Sequence, residues 1–180
     1  DGHGHGSHIS GIIWNNITDL DTGVTLGIAP EAEILSVRVL GADGTGTYTD
    51  VIEGIQYVVE NKYSYNIRVM NLSLSSYATT PYFYDPMNRA VEAAWANDIV
   101  VVVAAGNMAP GSESITVPGN DPYVITVGSI NNQRTPGYWG DDIIPAWSSI
   151  GPTWDGFAKP DVLAPGNYVV SFMFKDPDDM

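Results

Sequence analysis

The chain contains no cysteine and only 7 basic residues, and both shortages exclude classes of protein. Without cysteine it cannot be a disulfide scaffold, hold a thiolate metal site or use a cysteine nucleophile. Because 21 acidic residues oppose those 7 basic ones, the net charge is −14, and this excludes the basic face that nucleic-acid phosphates require. No stretch approaches the roughly 18 uninterrupted apolar residues of a membrane-spanning helix, so no membrane partner is expected.

What the sequence does contain is enough apolar material for a core. Hydrophobic residues make up 44% of the 180 residues and charged residues 16%, below the roughly 25% usual in globular proteins. The length suits one ordinary domain or most of a larger one. Because the chain begins with Asp1 and shows no signal peptide, we expect a processed piece or a fragment.

Apolar runs rich in β-branched residues alternate with segments of helical periodicity. The predicted strands cover residues 32–40, 66–74, 98–105, 123–127 and 162–164, and the predicted helices cover residues 51–61 and 85–97. Thr49 or Asp50 is expected to cap the first of these helices. Strands that alternate with helices indicate βαβ units, so we predict an α/β fold with a mostly parallel sheet.

The N-terminal segment DGHGHGSHISG holds all three histidines of the chain, His3, His5 and His8. Three interpretations are open: a solvated glycine-rich segment, a zinc site with Asp1, and a general base for catalysis. The segment resembles the pattern Asp-x-x-x-His-Gly-Thr-His-Val-Ala-Gly of the subtilisin-like serine proteases, or subtilases, with Ser for Thr and Ile-Ser for Val-Ala. The resemblance makes His5 the catalytic base and His8 a supporting residue, and it gives His3 no role.

Four further segments resemble the same family in the expected order: GIAPEAEILSVRVLGADGTGTYTDVIEGIQYVVEN, VMNLSLSS, VVVAAGN and WSSIGPTWDGFAKPDVLAPG. The resemblance implies the three-layer α/β sandwich of the subtilisins in incomplete form. It also implies a serine endopeptidase that cleaves polypeptides through an acyl-enzyme and needs no cofactor for its chemistry. The family implies secretion, with the cytoplasm as the alternative, and the oligomeric state stays open.

The resemblance also assigns the remaining site residues. Asn107 follows a predicted buried strand, where its amide can donate to an oxyanion; the alternative is an asparagine that caps a turn. The backbone of residues 44–46 can pair with an extended peptide, with a plain turn as the alternative. The substrate-binding residues implied by the family are Gly44, Thr45, Gly46, Ser73, Leu74, Ser75, Ala104, Ala105 and Gly106. Ser75 and Ser76 stand where the family usually has glycine, so extra side chains are expected to narrow the cleft.

Two family motifs are absent from the 180 residues. No Asp-Thr/Ser-Gly motif precedes His5, and Asp21-Thr22-Gly23 spells this tripeptide in the wrong place. The nucleophile motif Gly-Thr-Ser-Met-Ala does not occur either. We therefore expect residues 1–180 to be a partial peptidase domain that is inactive by itself. The alternatives are a peptide-binding pseudo-protease and a metal-binding domain that uses the histidine cluster.

The loop of residues 15–25 corresponds to a family region that often binds calcium. Asp19 and Asp21 supply carboxylate oxygens there, which are the ligands that calcium prefers. The loop lacks the family's ligand pattern, so a structural calcium ion is a weak expectation. No other metal or cofactor is expected.

Overall fold

The computed structural model describes residues 2–109, 111, 113–135 and 137–172. The chain forms two compact units: Asp1–Gly54 together with Val170–Met180, and Ile55–Val169. The helices are α1 (His5–Trp14), α2 (Tyr48–Glu60) and α3 (Pro86–Ala96). The strands are β1 (Val69–Leu72), β2 (Val100–Ala104), β3 (Ile125–Ile130) and β4 (Val162–Pro165). Short 3-10 turns span Tyr82–Tyr84 and Trp139–Asp141. None of the helices in the described ranges is both long and apolar enough to cross a membrane.

The four strands lie in the second unit and form one parallel sheet in the order β1-β2-β3-β4. Each strand pairs in parallel with the next strand along the chain. The carboxyl ends of all four strands therefore meet at one edge of the sheet, which is where α/β folds bind ligands. The predicted α/β class with a parallel sheet is confirmed.

The core of the second unit forms between β2 and α3, which pack together. Val101 and Val103 of β2 are buried, as are Val91 and Ala94 of α3. Burial alternates along β2: Val101 and Val103 face the core, whereas Val100 is 45% exposed, so the unbroken run of valines predicts the strand and not burial of both its faces.

The N-terminus of α3 follows from its sequence. Asp85 accepts hydrogen bonds from the backbone N–H of Met87 at 2.8 Å and of Asn88 at 3.2 Å, and Pro86 occupies the first helical position. Proline there loses no helical hydrogen bond and fixes a φ that suits the helix. The prediction of a helix over 85–97 is confirmed, with Asp85 and Asn97 as its caps.

The N-terminus of α2 differs from the prediction. Thr47 is the capping residue: its Oγ accepts from the N–H of Asp50, and the Asp50 carboxylate accepts from the N–H of Thr47 at 3.0 Å. This reciprocal pair is a capping box, in which the acidic residue stands three positions inside the cap. Thr49 and Asp50 were therefore wrong as N-caps, and the pattern Thr-x-x-Asp was the signal that identifies Thr47.

The predicted buried strand over 32–40 is not observed. No strand forms there among the described residues, and Ile34 and Leu35 are 41% and 39% exposed. Val39 does pack closely, because a Cβ atom on Gly54 would lie 2.4 Å from its Cγ1. The apolar composition predicts that the segment is buried. A strand also needs a neighbouring backbone with which to form hydrogen bonds, and composition does not show whether one is present.

Candidate active site

His5 is the first residue of α1 and is exposed. The preceding residue, Gly4, has φ +87°, a left-handed conformation that glycine adopts without a steric penalty. Helix α1 is anchored one turn further along, since Ser171 Oγ donates a 2.7 Å hydrogen bond to the carbonyl of His8. The glycine before His5 and the anchor after it set where the helix begins, with His5 exposed at its first position.

His3 joins His5 to the 41–45 turn. The two imidazole rings meet edge to face with centroids 6.3 Å apart. A Cβ atom on Gly44 would lie 2.7 Å from the His3 ring, so the ring packs directly on that glycine. The structure thus gives His3 a position beside both the expected base and the expected substrate loop.

Residues 41–45 form a closed turn. The N–H of Gly41 donates to the carbonyl of Thr45 at 2.7 Å, and the N–H of Gly44 donates to the carbonyl of Gly41 at 3.1 Å. Hydrogen bonds from the backbone and side chain of Thr45 hold the pKa of the Asp43 carboxyl below its ordinary value, with a smaller contribution from the charge of His3. Because this turn uses Gly44 and Thr45, pairing with a substrate strand stays a prediction that is best carried by Gly46.

Asn107 lies on a fixed loop at the carboxyl end of β2. Gly106 has φ +108°, and a Cβ atom there would lie 2.4 Å from Oγ1 of Thr116. Both the N–H and the hydroxyl of Thr116 donate to the carbonyl of Ala105 at 3.0 Å. The Asn107 side chain is exposed and has no hydrogen-bond partner within the described part of the chain. Within that part of the chain the side chain therefore makes none of the backbone hydrogen bonds typical of a capping asparagine, and its role as an oxyanion donor stays a prediction.

Ser149 clamps the same loop from both sides of Asn107. Its N–H donates to the carbonyl of Gly106 at 3.0 Å, and its Oγ accepts from the N–H of Met108 at 3.0 Å. Ser149 is fully buried. Sequence reasoning missed this positioning residue, because 41 positions separate it from Met108 and no local signal marks the contact.

The segment 73–75 continues from the end of β1, and Ser76 then pairs with Val117 through two backbone hydrogen bonds. Asn71 donates from its side chain to Ser73 Oγ at 3.0 Å. Since β1 and β2 are neighbours, segment 73–75 leaves the sheet edge beside the strand that leads to Asn107. Ala104 ends β2, and Ala105 and Gly106 behind it are buried.

The structure thus forms two groups. His5, His3 and residues 44–46 belong to the first unit, whereas Asn107 and residues 73–75 and 104–106 belong to the second, and each group is described within its own unit. Asp1 of the histidine motif lies outside the described residues.

The zinc and calcium interpretations stay predictions. The described residues contain no group of three or more His, Asp or Glu side chains that could hold a metal ion. In the 15–25 loop, Oδ1 of Asp19 already accepts from the N–H of Asp21 and from the N–H and hydroxyl of Thr22. These hydrogen bonds lower the pKa of Asp19, with the Thr22 backbone contributing most. Oδ1 of Asp19 therefore serves its own turn, and calcium at this loop stays a prediction.

The chain is similar to several known proteases. Over 177 residues the chain is 41% identical to serine protease AprX of Bacillus subtilis (strain 168), covering 95% of this chain and 39% of that protein. It is 38% identical over 138 residues to the major intracellular serine protease of the same strain, covering 74% of this chain and 40% of that one. Among solved structures, S41 psychrophilic protease superposes with a TM-score of 0.75 at 30% identity, covering 94% of this chain and 54% of that one.

The chain therefore spans 39–54% of these relatives' own lengths. The sequence pattern of the Subtilase family matches this chain over residues 1–177. Because that match covers nearly every position, including the His5 helix and the Asn107 loop, the chain belongs to the Subtilase family.

Proposed function

We propose that the protein is a serine endopeptidase that hydrolyses polypeptides through an acyl-enzyme. The observation that carries this proposal is the Asn107 amide, which is exposed and unpaired among the described residues on a loop that Gly106 and Ser149 hold in place. A donor fixed in advance costs little reorganisation when negative charge develops on the carbonyl oxygen. The relatives named serine proteases give the proposal independent support.

His5 is the base in this proposal. Its imidazole accepts the proton of a serine hydroxyl while the serine oxygen attacks the scissile carbonyl, and Asn107 donates to the oxyanion that forms. The imidazolium then gives the proton to the departing amine, and water releases the acyl group in a second cycle. The serine belongs to the family's Gly-Thr-Ser-Met-Ala motif, which the 180 residues do not contain.

A second candidate is a pseudo-protease that binds peptides through the same residues without cleaving them. The two candidates differ in one measurable property of the natural full-length protein, which is turnover. A fluorogenic peptide and a serine-directed phosphonate distinguish them. The endopeptidase cleaves the peptide and is labelled by the phosphonate, whereas the pseudo-protease binds the peptide without cleaving it and is not labelled.

The decisive variant in the full-length protein is His5→Ala, with His3→Ala as its matched control. Removing the base should lower kcat by several orders of magnitude, because the members of a catalytic triad act as a unit. His3→Ala should keep kcat within a few-fold. Loss of activity in the control alone would place the base at His3 and overturn the assignment of His5. The isolated 180-residue chain should show no turnover and no phosphonate label.

Polypeptides are the proposed substrates, and the net charge of −14 supports the absence of a nucleic-acid partner. We further propose secretion, which the family resemblance implies. The similarity to a major intracellular serine protease makes the cytoplasm the alternative. Detection of the full-length protein in culture medium or in washed cells separates the two locations.

A further inference from the structure

A hairpin loop leaves the sheet directly after β3. Asn131 and Ile143 close it through two backbone hydrogen bonds of 2.8 and 3.1 Å. Inside the loop, the hydroxyl of Thr135 donates to the Asn132 carbonyl at 2.8 Å and lies 2.9 Å from both oxygens of the Asp141 carboxylate. Such internal hydrogen bonds give a surface loop a defined shape, and compact loops of this kind are frequently functional.

The tip of this hairpin presents two large aromatic side chains. Tyr138 is 63% exposed and Trp139 is 78% exposed. A Cβ atom on Gly140 would lie 2.6 Å from the Tyr138 hydroxyl, so the Tyr138 ring folds over the glycine that follows Trp139. Two exposed aromatic side chains at adjacent positions offer apolar area to a partner, and tyrosine and tryptophan bind partners at a small entropic cost.

The chain that returns from the hairpin is bound to the candidate oxyanion loop. Ser148 Oγ accepts from the N–H of Ser129 in β3 at 3.0 Å, and the next residue, Ser149, holds Gly106 and Met108 as described above. The hairpin therefore begins one residue after β3 and returns into direct contact with the residues on either side of Asn107.

The order of the strands shows on which side of Asn107 the hairpin lies. At the carboxyl edge of the sheet, β1 leads to segment 73–75, β2 leads to Asn107 and β3 leads to the hairpin. Neighbouring strands are about 4.8 Å apart, so an extended peptide that crosses from one strand end to the next advances by one to two residues. A peptide whose scissile carbonyl reaches Asn107 and whose one arm lies along segment 73–75 has its other arm on the side of the hairpin.

We infer that Tyr138 and Trp139 bind the leaving-group side of the polypeptide substrate and favour large apolar residues there. The inference rests on the proposed endopeptidase function. The acyl arm has to stay bound through both chemical steps, so we assign the backbone pairing along segment 73–75 to that arm. The arm beyond the scissile bond is then the one that reaches the aromatic tip, and its apolar side chains bury surface against the two rings.

Two kinds of substrate test this assignment in the natural full-length protein. The first is a peptide anilide that ends at the scissile bond and has no residue on the leaving side. The second is a quenched fluorescent peptide with the same acyl arm, extended by Phe or Leu beyond the bond. The variants are Trp139→Ala, the conservative Trp139→Phe, and Tyr63→Ala as a control at another exposed aromatic, 87% exposed, in the turn after α2.

We expect Trp139→Ala to lower kcat/KM about 5- to 30-fold for the extended peptide and to leave the anilide unchanged. Trp139→Phe should restore most of the loss, and Tyr63→Ala should change neither substrate. Equal losses for both substrates, or no loss for the extended peptide, would overturn the inference while leaving the endopeptidase intact. Failure of the wild-type protein to cleave even the anilide would reject the proposed function itself, and the inference with it.

Discussion

The side-chain amide of Asn88 donates a 3.1 Å hydrogen bond to Oδ1 of Asn120, and both side chains are buried. This bond links α3 to the loop that precedes β3. Next to it, Asp121 is fully buried, and its Oδ1 accepts from the N–H of Tyr123 at 2.8 Å. Asn88 Oδ1, Asn120 Nδ2 and Asp121 Oδ2 have no hydrogen-bond partner among the described residues. The cluster therefore buries a carboxyl beside two amides, and burial favours the neutral form of such a carboxyl.

The first prediction is that Asp121 makes stability fall as pH rises from 4 to 7. Burial is the largest effect on the pKa of Asp121 and raises it to about 6. The negative charge of Glu92 also raises this pKa, whereas the hydrogen bond from the N–H of Tyr123 and the positive charge of Lys159 lower it. The folded protein holds this proton more tightly than the unfolded chain, whose aspartate pKa is about 3.9. The stabilisation is therefore complete below pH 4 and is lost as pH rises through 6, on the order of 3 kcal/mol.

Urea unfolding at four pH values checks this, with Asp121→Asn as the variant and the exposed Asp21→Asn as the control. The asparagine keeps the oxygen that accepts from Tyr123 but cannot ionise. Its stability should therefore gain on the wild type steadily between pH 4 and pH 7. Parallel curves for wild type and Asp121→Asn would show that the Asp121 carboxyl does not titrate in this range.

The second prediction concerns the glycine behind the candidate oxyanion donor. Gly106→Ala places a side chain at φ +108° and a Cβ atom 2.4 Å from Thr116 Oγ1. The backbone strain alone costs about 1–3 kcal/mol. In the full-length protein both the melting temperature and kcat should fall, because the loop that carries Asn107 has to move. Gly111→Ala is the control, since nothing lies within 4 Å of its Cβ position; equal effects of the two changes would contradict the packing argument.

The third prediction tests the capping box of α2. Thr47→Ala and Asp50→Ala should each destabilise the protein by about 1 kcal/mol, because each leaves a helix-end N–H without its partner. The double variant should lose less than the sum, since the two side chains bond reciprocally. Thr49→Ala should be nearly neutral in the same unfolding experiment. A larger loss from Thr49→Ala than from Thr47→Ala would restore Thr49 as the capping residue.

Local signals explain which parts of the structure could be predicted. Helix α3 was predictable because Asp85 and Pro86 mark its start and apolar residues recur at helical spacing, and β2 was predictable because a run of valines is typical of a strand in a parallel sheet. The run at 32–40 has the same composition but no pairing strand among the described residues, and a sequence cannot show whether a partner is present. Ser149 escaped prediction for a related reason: its contacts with Gly106 and Met108 arise only when β2 and β3 lie side by side.

The last prediction separates catalysis from structure at Asn107. If its amide donates to the developing oxyanion, Asn107→Leu in the full-length protein removes a hydrogen bond that is made mainly in the transition state. Such a change lowers kcat and leaves KM nearly unchanged, because ground-state binding is not what the amide supplies. The expected loss is about 10²–10³-fold, a value known from a subtilisin and therefore carried over from the family. A capping asparagine would instead cost about 0.5–2 kcal/mol of stability with kcat per folded molecule unchanged. Measuring kcat, KM and melting temperature on this one variant distinguishes the two roles, and an unchanged kcat with a lowered melting temperature would remove Asn107 from the catalytic residues.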